Sequence, residues 1–243
     1  MSTGYIAAIA RGHNAGVCLL KDGEIVFSIE EERLTRQKYD GGPYASMMKI
    51  LEYTDKIDYL VIAHTQSLKD TAGRVDYSGG DVYTGLARKF GLIDRKQNPI
   101  NHPQVIDLSH IHHKLHAAAA FYRSGFEKAT GVVIDGAGTF ITLQGSDGQP
   151  TLFWETESIF DCSYPANFKT LYKHLGTRGP LQSVIIKDMD ASMFGEDGKY
   201  ECYITERAGI TKVYEAVTEY CGWSSIEAGK TMGLFPYGKE NSN

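Results

Sequence analysis

The feature that most restricts the fold is a pattern of short apolar runs and glycine turns that occurs twice. Residues 5–10 form an apolar run, Gly12-His13-Asn14 a turn, residues 16–20 a second run, Asp22-Gly23 a hairpin turn and residues 24–31 a third run. Asp-Gly between apolar runs favours a type I′ hairpin, because both central positions of that turn need φ > 0. About 125 residues later the order returns, with runs at 130–134, 139–144 and 151–157 separated by Asp135-Gly136-Ala137-Gly138 and by Asp147-Gly148. One fixed offset aligns Asp22-Gly23 with Asp147-Gly148, Ile9 with Ile134, Glu30 with Glu155 and Glu32 with Glu157. Such a chain is expected to carry a duplicated α/β unit, each copy opening with an antiparallel meander.

Between the two meanders, helix and strand alternate. Met47, Met48 and Leu51 give helical spacing over residues 44–53, residues 57–63 are an apolar strand, and a weaker helix spans 80–90. Residues 104–108 read as a strand with Pro103 before it, and Ser109 can cap a helix running to about Arg123. The first copy therefore reads β-β-β-α-β-α-β-α, an α/β pattern with a mixed sheet. In the second copy, a segment at 164–175 is followed by a polar, glycine-containing stretch at 176–207 and a helix over 210–220. The chain then carries Gly229-Lys230-Thr231-Met232-Gly233-Leu234-Phe235-Pro236-Tyr237-Gly238. No second pair of crossover strands is expected, so the second lobe reads as incomplete. The polar stretch reads as an inserted loop or flap, with a hairpin at Gly195-Glu196-Asp197-Gly198. The expected division is 1–126 and 127–243.

Composition removes several classes. With 42% apolar and 23% charged residues the chain can bury a core, which argues against wholesale disorder. Apolar stretches such as residues 117–122 fall far short of the ~20 residues a membrane span needs, and Met1-Ser2-Thr3-Gly4 lacks the marks of a signal peptide. The expectation is a cytoplasmic protein with no membrane contact. A net charge of −5 argues against non-specific nucleic-acid binding. Cys18, Cys162, Cys202 and Cys221 form no CxxC pair and read as reduced thiols.

The sharpest chemical signal is His110-Ile111-His112-His113-Lys114-Leu115-His116. On a helix, His112 and His116 are one turn apart and point the same way, so two imidazoles can share one divalent metal. His113 with His116 is a second pairing, and a solvated helix start with unrelated histidines is the alternative. A third ligand, a carboxylate, has to come from elsewhere. The second signal is the pair of glycine turns at equivalent places in the two copies, since free backbone N–H groups in a turn can cradle an anion. Facing turns of this kind hold phosphates in actin-like folds. Glu30-Glu31-Glu32-Arg33, followed by Arg36 and Lys38, reads as a solvated strand end.

Taken together, these residues resemble one family. Gly12-His13-Asn14-Ala15, the Asp22-Gly23 turn, Glu30-Glu31-Glu32-Arg33 with Lys38, His112-His113-Lys114-Leu115-His116-Ala117, Asp135-Gly136-Ala137-Gly138 and the run from Gly229 to Gly238 stand in order. That order and spacing is similar to the O-carbamoyltransferases of nodulation-factor and antibiotic biosynthesis, relatives of the enzymes that make threonylcarbamoyl-adenosine in tRNA. The resemblance implies actin-like (ribonuclease H-like) βββαβα lobes followed by a separate C-terminal domain that makes carbamoyl-adenylate from ATP and carbamoyl phosphate. It implies a divalent metal, usually iron, on His112 and His116, completed by a later aspartate. It further implies transfer of the carbamoyl group to a hydroxyl of a small-molecule or nucleotide acceptor. His13 and Lys38 become the candidates for contact with carbamoyl-adenylate, His13 as base and Lys38 as the cation on the leaving phosphate. Gly12, Asp135, Gly136 and Gly138 become phosphate-side positions.

Members of that family are roughly twice this length. The resemblance therefore implies that the rest of the second lobe, the aspartate ligand and the adenylate-forming domain lie outside this chain. The expectation is a piece that is inactive alone and needs a complementary C-terminal half. Two other readings stay open: an actin-like or sugar-kinase-like ATPase lobe, which needs no HxxxH helix, and a non-catalytic partner subunit of a split enzyme.

Overall fold

Alternating apolar side chains in the N-terminal runs build the first sheet. A computed structural model describes residues 4–11, 14–65, 80–144, 148–178, 184–194, 196–206 and 209–239. The chain divides into two units, Met1–Leu115 and His116–Asn243. In the first, β1 (Tyr5–Arg11), β2 (Ala15–Lys21) and β3 (Glu24–Glu30) form the expected antiparallel meander. Asp22 and Gly23 have φ of 53° and 88°, the two positive values that a type I′ turn demands. β4 (Tyr59–His64) lies parallel to β1, and β5 (Val105–Asp107) parallel to β4, giving the order β3-β2-β1-β4-β5.

A parallel neighbour requires a crossover. The crossover from β3 to β4 contains α1 (Glu31–Thr35) and α2 (Tyr44–Lys49), and α3 (Val82–Phe90) lies between β4 and β5. Ala7, Ile9, Val17, Leu19 and Leu60 on the sheet and Met47, Ile50 and Leu86 on the helical layer form one buried core. Asp81 caps α3 by accepting from Tyr83 N–H and Thr84 N–H at 2.8 and 2.9 Å.

α4 (His112–Ser124) starts at the end of the first unit and continues in the second, where it leads into β6 (Lys128–Ile134), and β7 (Phe140–Gln144) follows. The 14-residue β8 (Pro150–Ser163) returns alongside both. β6 and β7 do not pair with each other, as a meander would require; they lie end to end along β8. The reason is local. Across residues 135–139 the chain stays bonded to β8: Asp135 N–H donates to Thr156 O, Gly138 N–H to Glu155 O, and Glu155 N–H to Thr139 O. Several residues opposite two make a bulge, which bends a strand without reversing it.

β9 (Asn167–Thr177) pairs with β8 on its other side, and the stretch expected as a polar loop holds two more strands. β10 (Val184–Asp190) and β11 (Lys199–Glu206) form an antiparallel pair, and β11 runs parallel to β9, giving β10-β11-β9-β8-β6. Tyr200, Cys202 and Ile204 alternate inward, a two-residue period hidden among charged neighbours. Burial pushes the Cys202 thiol up to about 12, so it packs as a neutral group. α5 (Ile210–Tyr220) and α6 (Ala228–Leu234) close the unit. Ile210, Val213 and Tyr220 on α5 are exposed. No helix among the described residues is long and apolar enough to cross a membrane.

The acidic run at the end of β3 is not a solvated strand end throughout. Glu31 is 1% exposed, and its carboxylate accepts from Ala45 N–H (2.7 Å), Ser46 N–H (2.8 Å) and the Ser46 hydroxyl (2.6 Å). It thereby satisfies the first N–H groups of α2 and ties that helix to α1. Glu31→Ala leaves these buried donors without their acceptor. The expected loss is about 3 kcal/mol of unfolding free energy, measured by urea denaturation. A loss below about 1 kcal/mol would show that the carboxylate does not anchor the helix.

Candidate metal centre

The centre is built by a helix and the strand that returns beside it. α4 begins after a 3₁₀ turn at Ser109–Ile111 and continues through Ala117 and its neighbours, whose small side chains permit close approach. Ala117 and Phe121 on α4 pack on Val133, Phe160 and Cys162 of the sheet. Gly131 in β6 borders this contact: a Cβ there would crowd Cys162 Sγ at 2.9 Å and touch Ala117 Cβ at an ordinary 3.5 Å. Burial, with a smaller push from Asp161, raises the Cys162 thiol above its usual range, so it serves this contact as a neutral group.

The helix and the returning strand are of comparable reach. From His112 to the end of α4 the helix rises about 18 Å, and β6 with its next residue covers about 23 Å in return. Asp135, the residue after β6, is therefore delivered beside the first turn of α4. One ligand atom each from His112, His116 and Asp135 lies within 4.8 Å of the others. His116 Nε2 and Asp135 Oδ2 are 3.9 Å apart, a separation that one ion at about 2.1 Å from each can bridge. His112 and Asp135 are half-buried and His116 is exposed. His113, the alternative partner for His116, is fully buried and is not part of this cluster.

Asp135 is held on several sides. Its N–H donates to Thr156 O at 2.8 Å, its carbonyl accepts from the Thr211 hydroxyl at 3.1 Å, and its Oδ1 accepts from Gly136 N–H at 2.7 Å. The bulge it begins is fixed at the far end by Glu155, whose Oε2 accepts from Thr139 N–H at 2.9 Å and whose Oε1 pairs with the buried Lys173 ammonium. Two imidazoles and one carboxylate with open positions form a donor set that suits iron(II) and is compatible with zinc. A cavity of about 410 Å³ opens beside His116 and Asp135, walled by Ala117, Ala120 and Val133.

The sequence assigned Asp135, Gly136 and Gly138 to an anion turn. In the structure the Gly136 and Gly138 N–H groups donate within the bulge, to Asp135 Oδ1 and Glu155 O, and Asp135 stands with the histidines. A carboxylate near the two histidines is thus present within this chain. The signal that could have found it is the strand length that carries it back to the helix start.

Gly12 and His13 lie outside the described residues. Lys38 is exposed on a loop of the first unit, its ammonium 4.7 Å from the centre of the Tyr39 ring. That loop is shaped by Glu32, which accepts from Tyr39 N–H at 3.2 Å, and by Asp40, whose carbonyl accepts from Ala15 N–H at 2.8 Å. Arg36 and Tyr39 both have φ of 61°, an uncommon backbone region for side chains of this size that is enriched at ligand-binding loops.

Residues 6–76 match the family described as Carbamoyltransferase N-terminus. The nodulation protein NolNO of Sinorhizobium fredii (strain NBRC 101917 / NGR234) is 31% identical over 137 residues, 53% of this chain and 20% of its own length. An uncharacterized protein of Synechocystis sp., sll1178, is 26% identical over 173 residues, covering 59% of this chain and 27% of its own. MJ1051 of Methanocaldococcus jannaschii, also uncharacterized, is 31% identical over 144 residues, 58% of this chain and 24% of its own. The chain therefore spans about a quarter of the length of these relatives. No solved structure matches it. The matches bear out the resemblance to the N-terminal part of the carbamoyltransferases.

Protein stripped with chelator and titrated with iron(II) or cobalt(II) should take up about one equivalent. His116→Ala and Asp135→Asn should each weaken that uptake at least about tenfold and leave the apo melting temperature close to wild type. Equal uptake by wild type and both variants would remove the assignment.

Proposed function

We propose that this chain is the N-terminal part of a carbamoyltransferase that moves a carbamoyl group from carbamoyl-adenylate to a hydroxyl of a small-molecule or nucleotide acceptor. The observation that carries the reading is the clustering of His112, His116 and Asp135 in a chain whose first strands match the carbamoyltransferase N-terminus. The domain that makes carbamoyl-adenylate from ATP and carbamoyl phosphate belongs, in this reading, to a further C-terminal part.

The chemistry is acyl transfer. The acceptor hydroxyl attacks the carbamoyl carbon, a C–O bond to the acceptor forms, the bond from that carbon to the phosphate oxygen of AMP breaks, and the hydroxyl proton passes to a base. His112, His116 and Asp135 would hold the divalent ion, iron being the candidate. When bound, the ion supplies Lewis-acid polarisation of the carbonyl. Lys38 is the proposed cation that offsets charge on the departing phosphate. His13 is the proposed base. Gly12, Gly136 and Gly138 are the proposed phosphate-side positions. Asp135 is assigned to the metal in preference to the anion turn, because its carboxylate lies with the histidines.

The test is reconstitution with the complementary C-terminal part of a relative, using carbamoyl phosphate, ATP and a polyhydroxylated acceptor. Carbamoylated acceptor should form only when both parts and the metal are present. Lys38→Ala should lower turnover by about 100-fold with the melting temperature unchanged. A Lys38→Ala protein that keeps full turnover would contradict its role, and turnover by the chain alone would contradict the division of labour.

A further inference from the structure

A chain of polar contacts runs from the interior of the second sheet to the backbone of Asp135, and the mechanism above makes no use of it. It begins at Thr205 on β11, whose hydroxyl lies 2.6 Å from His174 Nε2 on β9. His174 Nδ1 pairs with Glu157 Oε2 on β8. The other oxygen of Glu157 accepts from the N–H of Ile210, the first residue of α5, at 2.8 Å. The next residue, Thr211, donates its hydroxyl to the carbonyl of Asp135 at 3.1 Å. Glu157 and His174 are both largely buried, at 15% and 8% side-chain exposure, so their positions are fixed by packing as well as by charge.

The entry into α5 is built for this approach. Gly209 has φ of 142°, and a Cβ there would stand 3.3 Å from both Glu157 Oε1 and Thr156 Cβ. Only a glycine lets the chain pass this close to β8 in that conformation. The helix N-terminus is then seated on Glu157, which satisfies one of its unpaired N–H groups and complements its dipole.

We infer that Thr211, seated by Glu157, is a positioning residue for the metal centre: its hydroxyl fixes the Asp135 peptide so that the carboxylate faces His116. The inference rests on the metal reading above. Asp135 N–H is already held by Thr156 O, so the Thr211 contact on the carbonyl pins the second side of the same residue. With both flanks held, the Cα–Cβ direction is set, and ligand placement within about 0.5 Å is what a tight site requires. Thr211 touches neither the ion nor the substrate in this account; it acts through Asp135, as partners of ligands in other metal centres do.

The test is calorimetric titration of the metal-free full chain with cobalt(II), alongside the visible cobalt spectrum of each loaded protein. Thr211→Val keeps the shape and removes the hydroxyl; its affinity should fall about tenfold, with an altered cobalt band and an unchanged apo melting temperature. Thr211→Ser restores the hydroxyl and should return both affinity and spectrum to wild type. Glu157→Gln breaks the pairing with His174 and should weaken binding by about tenfold, which keeps the inference testable if Thr211→Val fails to fold. Cobalt binding by wild type with equal affinity in Thr211→Val, or in Glu157→Gln where the valine variant is unfolded, overturns this inference and leaves the metal reading standing. No cobalt uptake by wild type overturns both.

Discussion

The packing of α4 on the sheet, through Ala117, Phe121, Val133, Phe160 and Cys162, is the constraint on which the candidate site depends. Gly131 on β6 sits against it: an added Cβ would crowd Cys162 Sγ on the neighbouring strand, at 2.9 Å. Helix and strand lie close and run back along one another. The residue after the strand then arrives at the first turn of the helix. Two histidines at i, i+4 form one side of the candidate site, and the returning aspartate forms the other. A candidate site on this plan needs no long loop, only a helix and a strand that returns beside it.

Buried carboxylates hold the turns that surround this core. Glu31 receives the first N–H groups of α2, Glu155 receives Thr139 N–H at the end of the bulge, and Glu157 receives Ile210 N–H at the start of α5. Each makes a charge-assisted bond to a backbone group that would otherwise be unpaired. Glu155 is compensated by Lys173, whose ammonium also lies 4.0 Å from the centre of the Phe194 ring, and Glu157 by His174. Buried pairs of this kind cost desolvation and add little net stability when measured against apolar replacements. Their effect is geometric: they fix where a turn or a helix begins.

The parts of this architecture that were legible in the sequence are those governed by local rules. The first meander follows from Asp22-Gly23 and its flanking apolar runs, α5 from its 3.6-residue period, and the histidine pair from i, i+4 spacing. The resemblance to carbamoyltransferases was likewise readable from ordered motifs. What escaped depends on partners distant in the chain. The Asp135 turn looks like a hairpin by composition, yet its bonds to β8 make it a bulge, so β6 and β7 share one neighbour. Glu31 looks solvated because its acceptors' partners lie 14 and 15 residues on, across a loop. The strands within residues 176–207 were masked by charges on their outward faces. Asp135 reads by composition as part of a glycine turn, and only the length of β6 set against that of α4 points to the histidines.

The central claim is that His112, His116 and Asp135 bind one ion together. Its most direct test is anomalous diffraction from crystals of the chain grown with cobalt(II). The account predicts a single peak within about 2.3 Å of one nitrogen from each histidine and one carboxylate oxygen of Asp135. A peak held by the histidines with Asp135 turned away, or no peak at this position, would contradict it.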